Sequence, residues 1–420
     1  MRDGKIIKKA LDHKLTSYFI FVFACLSVIT AVKCVSTGRY QSDLYYRWQE
    51  CAYTLRGINP IDVLKGLKPV ITEIGPLKPA FAGTAPWAYL LGNVFNFGFL
   101  PYGAAKVIGA AMFPAVLIIT SVFVFRYVDK KSTNKMLAVL GVLVLSGNSH
   151  WYSSCFWGNG GAICACLIVL MIILIDTKPY MAGVLLALAT VKPQLAVVFY
   201  LSLLLQRRWK VFLTASLIVA LSWLSAAAMT GTSALKMLSQ TAAQGIDGYA
   251  SGGYGFFKVF INHGITRQQS LVLSAALGAI IIAALSLLLL KDPKTKNNNF
   301  LYYSVPAVVS VFWFYKQPHE FLIIAVLALA LILSLSEFKF KAIIKISALA
   351  LPFLYYFDSA ALTLAIAAIN RHRRALVLMI TAYEYAAYLA WLLLILLIYA
   401  LYADNKFSRQ VKKLCLTKNV

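Results

Sequence analysis

The chain is poor in acidic residues. It has 15 Asp and Glu against 40 Lys and Arg among 420 residues, which gives a formal net charge of +25. Charged residues make up only 13% of the sequence and hydrophobic residues 60%, with a mean hydropathy of +0.75. Soluble domains carry about twice that share of charge. The composition therefore excludes a soluble globular protein.

Several catalytic motifs are also missing. The sequence contains no glycine-rich phosphate loop with a lysine, no histidine–glutamate zinc spacing and no serine nucleophile elbow. Its seven cysteines show no metal-binding pattern. We therefore expect neither a metal site nor a cofactor.

Long apolar runs recur along the chain, separated by short charged connectors. Only helices and closed barrels span lipid, and continuous apolar runs lack the alternation of barrel strands. The sequence thus predicts an all-α polytopic integral membrane protein, a single membrane domain over residues 1–420. At about twenty residues per span, we expect roughly 10 to 13 transmembrane helices.

The basic residues set the predicted topology. They lie largely in connectors, where orientation bias and anionic lipid headgroups account for most of them, so we expect no nucleic-acid partner. The basic segment 1–14 is placed in the cytoplasm, followed by a span at 15–35 that acts as an uncleaved anchor. We expect a multi-pass protein of the inner (plasma) membrane, with external segments at 36–85 and 230–268.

Two runs do not fit a simple span. Residues 86–101 are apolar but short, which is typical of a re-entrant or shallow piece. The run 179–205 has basic connectors at both ends, so we predict two short helices that meet at a break at Lys192-Pro193. The aromatic stretch 150–160 is expected to be an external turn. The remaining spans are predicted near 102–127, 136–151, 160–176, 210–229, 270–290, 300–315, 320–336, 342–369 and 375–403, and the topology of 342–374 stays open.

The first external segment carries the most informative pattern. Apolar residues recur at helical spacing after Ser42, a plausible N-cap, and Gly57 and Pro60 end the pattern. We predict an amphipathic helix on the membrane surface with a polar face turned to water. The apolar face is formed by Leu44, Trp48, Cys51 and Leu55, and the polar face by Asp43, Arg47 and Glu50.

Asp43 is the leading catalytic candidate. A carboxylate at the membrane surface can accept a proton from an acceptor hydroxyl that attacks a sugar. A structural role is the alternative, since an acid in the first helical turn is favoured by the helix dipole and Arg47 can pair with it.

Lys192 and the segment 315–321 are further candidates. A lysine inside an apolar run needs water, an anion or a carboxylate, and a lipid phosphate would suit it; snorkelling is the alternative. His319 can move protons near neutrality or donate to phosphate, although a solvated loop would hold the same residues. Lesser phosphate-binding candidates are Arg56, Lys316 and the arginines of 370–374.

The order of several short motifs resembles glycosyltransferase family 87. They are the Asp43 to Tyr46 and Arg56 to Pro60 stretches, Pro86, Leu100-Pro101, Gly158-Asn159, the run from Gly183 to Pro193, Arg207-Arg208-Trp209 and Pro318-His319. The likeness covers roughly residues 15–335.

The resemblance implies a GT-C type fold and a function. Members take a hexosyl or pentosyl group from a polyprenyl-phosphate donor and invert the anomeric centre in one displacement, without a metal. It implies that Asp43 is the catalytic base, that His319 is an active-site histidine and that Lys192 meets the lipid phosphate. We also expect Tyr46 and Asn159, which lie in the quoted motifs, and Arg47 of the polar face to contribute to substrate binding.

The leading hypothesis is a membrane glycosyltransferase that acts at the extracytoplasmic face on a glycolipid or glycan acceptor. A transporter or flippase of a lipid-linked saccharide, using Asp358, Glu384 and the broken run, is the alternative from another class. A third hypothesis is an enzyme that polymerises or ligates glycans from diphosphate donors.

Overall fold

Helices build the whole of the described structure. The structure, a computed structural model, describes residues 42–77, 85–132, 135–250, 255–291, 298–314, 318–337 and 389–400 and parts of 17–33. Every regular element in these ranges is a helix, as the sequence predicts. The apolar helix Ile20–Thr30 lies in the first predicted span, and the elements after it are numbered from Ser42. In chain order they are α1 (Ser42–Leu55), α2 (Pro60–Leu64), α3 (Ala88–Leu91), α4 (Asn93–Asn96), α5 (Tyr102–Lys131), α6 (Lys135–Ser146), α7 (Ser149–Trp157), α8 (Gly161–Leu174), α9 (Pro179–Ala189), α10 (Pro193–Leu205), α11 (Trp209–Thr230), α12 (Ala234–Ala250), α13 (Phe256–Asn262), α14 (Arg267–Leu290), α15 (Asn299–Phe312), a 3-10 helix (Pro318–Ile324), α16 (Ala325–Glu337) and α17 (Leu389–Ala400).

Three helices in the described ranges are long and apolar enough to cross a membrane, namely α5, α11 and α14. Several shorter apolar helices accompany them, among them α8, α9, α10 and α15. This architecture is consistent with a membrane protein. The number of 10 to 13 spans stays a prediction, and the runs 342–369 and most of 375–403 lie outside the described residues.

Helices α8, α15 and α16 form the centre of the bundle. All residues of α15 are buried, and so is α8 from Gly161 to Ile172. Helices α11 and α14 lie at the periphery and expose large apolar side chains, which suits contact with lipid. These side chains include Leu213, Leu217, Leu221 and Leu224 of α11 and Val272, Ile280 and Leu287 of α14.

The first described helix after that span ends where its C-terminal signals predict, although it begins at Ser42 itself, which was predicted as the N-cap. Helix α1 ends at Leu55, and Gly57 follows in the left-handed region with φ 74°. The N–H groups of Gly57 and Ile58 donate to the carbonyls of Thr54 and Tyr53, both at 3.0 Å, which closes the helix. Pro60 then opens α2.

The surroundings of α1 differ from the prediction. Leu44, Trp48 and Cys51 are buried as expected, but Glu50 on the opposite face is also buried, with 1% of its surface exposed. Asp43 and Arg47 of the same face line an internal cavity together with residues around α3 and α4, so this face does not lie open to bulk water. A helix turned to water on its polar side is therefore the wrong description. The polar face of α1 points into the protein.

The run 179–205 is broken as predicted. Helix α9 ends at Ala189 and α10 begins at Pro193, and Lys192 between them has the non-helical angles φ −110° and ψ 82°. The indole Nε1 of Trp87 donates to the carbonyl of Thr190 at 2.9 Å, so the break is stabilised from outside the run. Residues 86–101 likewise form two one-turn helices, α3 and α4, rather than a span.

The stretch 150–160 was wrongly predicted as a turn, because most of it lies in helix α7. Asn148 caps this helix through its side chain, which accepts from the N–H of His150 at 2.8 Å. Gly158, with φ 64°, ends it. Asn148 and Gly158 are ordinary capping residues. They were not recognised as helix signals because the stretch between them is rich in aromatic residues.

Candidate active site

A cavity of about 250 Å³ lies where α1, the segment around α3 and α4, α12 and the N-terminal ends of α8 and α10 meet. Apolar side chains form most of its wall, including Trp87, Phe95, Leu238, Ile246, Leu271 and Phe314. Its polar lining side chains are Asp43, Arg47, Asn96, Asn159, Lys192, Gln194 and Thr241.

Asp43 is held in this cavity by Asn159. The Nδ2 atom of Asn159 donates to Oδ2 of Asp43 at 2.5 Å. The Oδ1 atom of the same amide accepts from the backbone N–H of Gly161 at 2.8 Å. Because the first turn of α8 occupies the amide oxygen, the amide nitrogen must face the carboxylate. Asp43 is therefore oriented by a rigid helix end.

Lys192 lines the same cavity and lies beside a second carboxylate. Its Nζ atom is 3.4 Å from Oε1 of Glu320, whose side chain is 1% exposed against 16% for that of Lys192. Gln194 donates to the same oxygen from Nε2 at 2.9 Å. The break before Pro193 thus places a lysine and an amide at the cavity with one buried carboxylate behind them.

Arg47 is the other cationic side chain of the described cavity wall. Its Nη1 atom lies 2.6 Å from Oε2 of Glu50, three residues along α1. Each described cation at the cavity is therefore paired with a buried carboxylate.

Gly161 lies between the side chains of Asn159 and Glu320. A Cβ atom at this position would be 2.9 Å from Oδ1 of Asn159 and 3.0 Å from Cγ of Glu320. Real Cβ atoms rarely approach other atoms so closely, so the glycine allows both side chains to reach the start of α8. The Asp43 and Lys192 sides of the cavity are joined at this residue.

Helix α12 closes another side of the cavity. Its lining residues Leu238, Thr241, Ala242, Gly245 and Ile246 recur at helical spacing. On the side away from the cavity, Gln240 accepts from Asn59 at 3.0 Å and donates to Asp62 at 3.2 Å. These bonds connect α12 to the segment that follows α1. The second predicted external segment, 230–268, thus packs onto the first.

Cys51 lies beneath the cavity wall and is unreactive by position. It is 1% exposed, and Asn96 donates to its sulfur at 3.7 Å. Burial raises the pKa of the Cys51 thiol to about 12. A protonated, enclosed thiol is a packing group.

The structure brings four of the predicted residues to one cavity: Asp43, Arg47, Asn159 and Lys192. Two others are not among its described lining residues. Arg56 is exposed and donates weakly to the carbonyl of Ala52 at 3.5 Å, and Tyr46 is half-buried beside Tyr45.

Other candidates lie outside the described structure. These are Lys316, the arginines of 370–374, Asp358 and Glu384. For His319 only the backbone is described, as the second residue of the 3-10 helix. The roles of all these residues stay predictions.

Residues missed from the sequence are Glu320, Gln194 and Trp87. Glu320 falls in the segment 315–321, which was predicted as an external turn with a solvated loop as the alternative, but it starts a buried run and is itself buried. Its position directly before the apolar stretch 321–333 was the available signal. Gln194 lies two residues after Lys192, in the first turn of the helix that begins at Pro193. The predicted break was therefore the available signal for it.

Residues 85–255 match the model of Glycosyltransferase family 87. Trp87, Asn159 and Lys192 lie within the matched range, and Asp43 precedes it. No curated protein and no solved structure matches the chain. The match confirms the family resemblance, and with the long apolar helices it supports a membrane glycosyltransferase.

Proposed function

We propose that this glycosyltransferase family 87 chain transfers a sugar from a polyprenyl-phosphate donor to a glycolipid or glycan acceptor at the outer face of the plasma membrane. One observation carries the proposal. Asp43 and Lys192, far apart in sequence, line the same cavity, and Asn159 orients the carboxylate there.

Asp43 acts as the general base. An acceptor hydroxyl within hydrogen-bond reach of the carboxylate attacks the anomeric carbon of the donor sugar and gives its proton to Asp43. The bond between the anomeric carbon and the phosphate oxygen breaks, and its electron pair leaves with the phosphate. A single displacement of this kind inverts the anomeric configuration.

Lys192 binds the leaving phosphate. An ammonium group beside the departing oxygen stabilises the charge that develops on it. The non-helical backbone before Pro193 supports this role, since it directs a lysine into the cavity from an otherwise apolar run. On the family resemblance, His319 assists near the reacting centre, and Lys316, Arg56 and Tyr46 add substrate contacts; no cofactor is part of the proposal.

The apolar wall favours a lipid-linked donor. Trp87, Leu238 and Leu271 present hydrocarbon around the polar groups, which suits the first isoprene units of a prenyl chain. A cavity of about 250 Å³ is small for a ligand site, so it fits the reacting sugar phosphate while the lipid tail extends outside.

The distribution of basic residues supports an outward-facing cavity. Helices α8 and α10 begin at the cavity, and their far ends are followed by Lys178 and by Arg207 and Arg208. Basic connectors favour the cytoplasm. The opposite helix ends, where the cavity lies, are then external.

Donor profiling with the purified protein tests the proposal. The protein is incubated with membrane lipid extract as the acceptor pool and a short polyprenyl-phosphate sugar labelled in the sugar. We expect a new glycosidic bond of inverted configuration, and no transfer when a polyprenyl-diphosphate sugar or a nucleotide sugar replaces the donor.

Two results would contradict it. Transfer from the diphosphate donor alone would favour the polymerising or ligating enzyme. Movement of the labelled lipid across a vesicle bilayer with no new glycosidic bond would favour the transporter.

A further inference from the structure

Glu320 is a buried carboxylate that the proposed reaction does not use. Its side chain is 1% exposed, and its Oε1 atom meets both Lys192 at 3.4 Å and Gln194 at 2.9 Å. It lies on the 3-10 helix, pressed against Gly161 at the start of α8. Its charge therefore sits directly behind the lysine that faces the cavity.

The charged groups of the described cavity wall do not make a strongly positive site. Its described charged groups are the cations Lys192 and Arg47, their partners Glu320 and Glu50, and Asp43. These two cations and three carboxylates sum to a formal charge of −1 when all are ionised. A site with this balance accommodates one added negative charge more easily than two.

The donor and the lipid product differ in the charge of their phosphate group. A polyprenyl-phosphate sugar is a phosphodiester with one negative charge. Once the sugar has left, the lipid is a phosphomonoester, which carries about −1.5 to −2 near pH 7 and is essentially a dianion at pH 8.

We propose that Glu320 is a positioning residue that also sets this selectivity, an inference that rests on Lys192 as the phosphate site of the proposed function. Glu320 holds Lys192 at the cavity wall, and its negative charge makes the site bind the singly charged phosphodiester in preference to the doubly charged phosphomonoester. The spent lipid phosphate is thereby released.

The distances make the effect sizeable. A phosphate oxygen bonded to Nζ of Lys192 at about 2.8 Å lies within about 6 Å of the Glu320 carboxylate, given the 3.4 Å between that lysine and Oε1. At this range inside a protein, one extra charge on the ligand is repelled strongly enough to change affinity about tenfold or more.

Direct binding tests the inference without turnover. The probes are a short prenyl monophosphate and its methyl phosphodiester, neither of which carries a sugar, and each is titrated at pH 8 onto the purified full-length protein in detergent. We expect the wild type to bind the diester more tightly, and Glu320→Gln to shift the affinity ratio about tenfold towards the monophosphate.

Two further variants separate charge from structure. Glu320→Asp keeps the charge and is expected to keep the preference for the diester, even if its packing is altered. Glu73→Gln makes the same chemical change at an exposed position and is expected to leave the ratio unchanged.

The outcomes are distinct. Binding of both probes with a ratio that Glu320→Gln leaves unchanged would overturn the role of Glu320 and leave the phosphate site intact. Tighter binding of the monophosphate by the wild type would overturn it as well, even if Glu320→Gln failed to fold. Binding of neither probe would refute the phosphate site itself, and with it the proposed function.

Discussion

Asn159 joins Asp43 to the start of helix α8. Its amide donates to the carboxylate at 2.5 Å across 116 residues of sequence, while its oxygen accepts from the N–H of Gly161. A base that must point at an acceptor hydroxyl gains a fixed orientation from this bond. Under the proposed function, the Asn159 amide has both a structural and a catalytic role.

Asn159→Ala is expected to lower kcat about 10- to 100-fold, because the Asp43 carboxylate loses its orienting donor. The matched control is Asn148→Ala, which removes a similar cap, since Asn148 also accepts an N–H two residues on at a helix start. That control should lose about 1 kcal/mol of stability and keep its activity. Steady-state transfer assays and thermal unfolding of both variants check this.

The coupling of Asn159 to Asp43 is tested by the double variant. If Asn159 acts through Asp43, Asn159→Ala adds little further loss in an Asp43→Asn background. Fully additive losses would show that Asn159 acts by another route.

Removing Lys192 separates stability from binding. Lys192→Met removes the ammonium group beside the buried Glu320 carboxylate and is expected to lower the free energy of unfolding by about 3 kcal/mol. Adding Glu320→Gln removes the buried charge and should recover most of that loss. The donor KM should stay raised in both variants, because neither has an ammonium group for the phosphate.

Chemical unfolding and donor titration measure the two quantities. A double variant that regained both stability and donor affinity would mean that Lys192 serves only as the partner of Glu320.

Gly161→Ala is expected to damage the site through one methyl group. The added Cβ would press on Oδ1 of Asn159 and Cγ of Glu320, so both would shift, at a cost of about 1–3 kcal/mol and much of the activity. Gly103→Ala is the control, since nothing lies within 4 Å of a Cβ there. Equal activity in the two variants would show that the close approach at Gly161 is unimportant.

Cys51 reports on the packing of α1. Burial raises its pKa from 9.0 to about 12, so at pH 8 the reactive thiolate is roughly a thousandfold rarer than in the unfolded chain. We expect alkylation of Cys51 at pH 8 to be at least about a hundredfold slower in the folded protein, as measured by mass spectrometry of the Cys51 peptide. Because the pKa of Cys51 is raised, labelling should become faster as the pH rises towards 12. Rapid labelling at pH 8 would show that α1 is not packed as described.

The helices were largely predictable because their signals are local. Gly57 ends α1, and Lys192-Pro193 breaks the run 179–205, for reasons confined to a few neighbouring residues. Long apolar runs likewise gave α5, α11 and α14 to within a few residues, apart from the C-terminal end of α5.

The site was predictable only in part, since its contacts join distant segments. Asp43, Asn159 and Lys192 were chosen one by one, from chemistry or from the family resemblance, and sequence periodicity does not show that one cavity gathers them. The burial of Glu50 and Glu320 was missed because it depends on packing against α3, α4 and α8 rather than on local hydropathy.

The central claim is that Asp43 takes the acceptor proton during sugar transfer. Its most direct test is the transfer rate of Asp43→Asn with a polyprenyl-phosphate sugar, compared with that of the control Asp129→Asn. Tyr102, at the start of α5, packs on Trp48 of α1, and Asp129 lies about 40 Å further along the same helix. We predict a loss of about 10²- to 10⁴-fold for Asp43→Asn, with donor binding and Cys51 protection retained, and wild-type turnover for the control. Substantial turnover by a folded Asp43→Asn variant would contradict the claim.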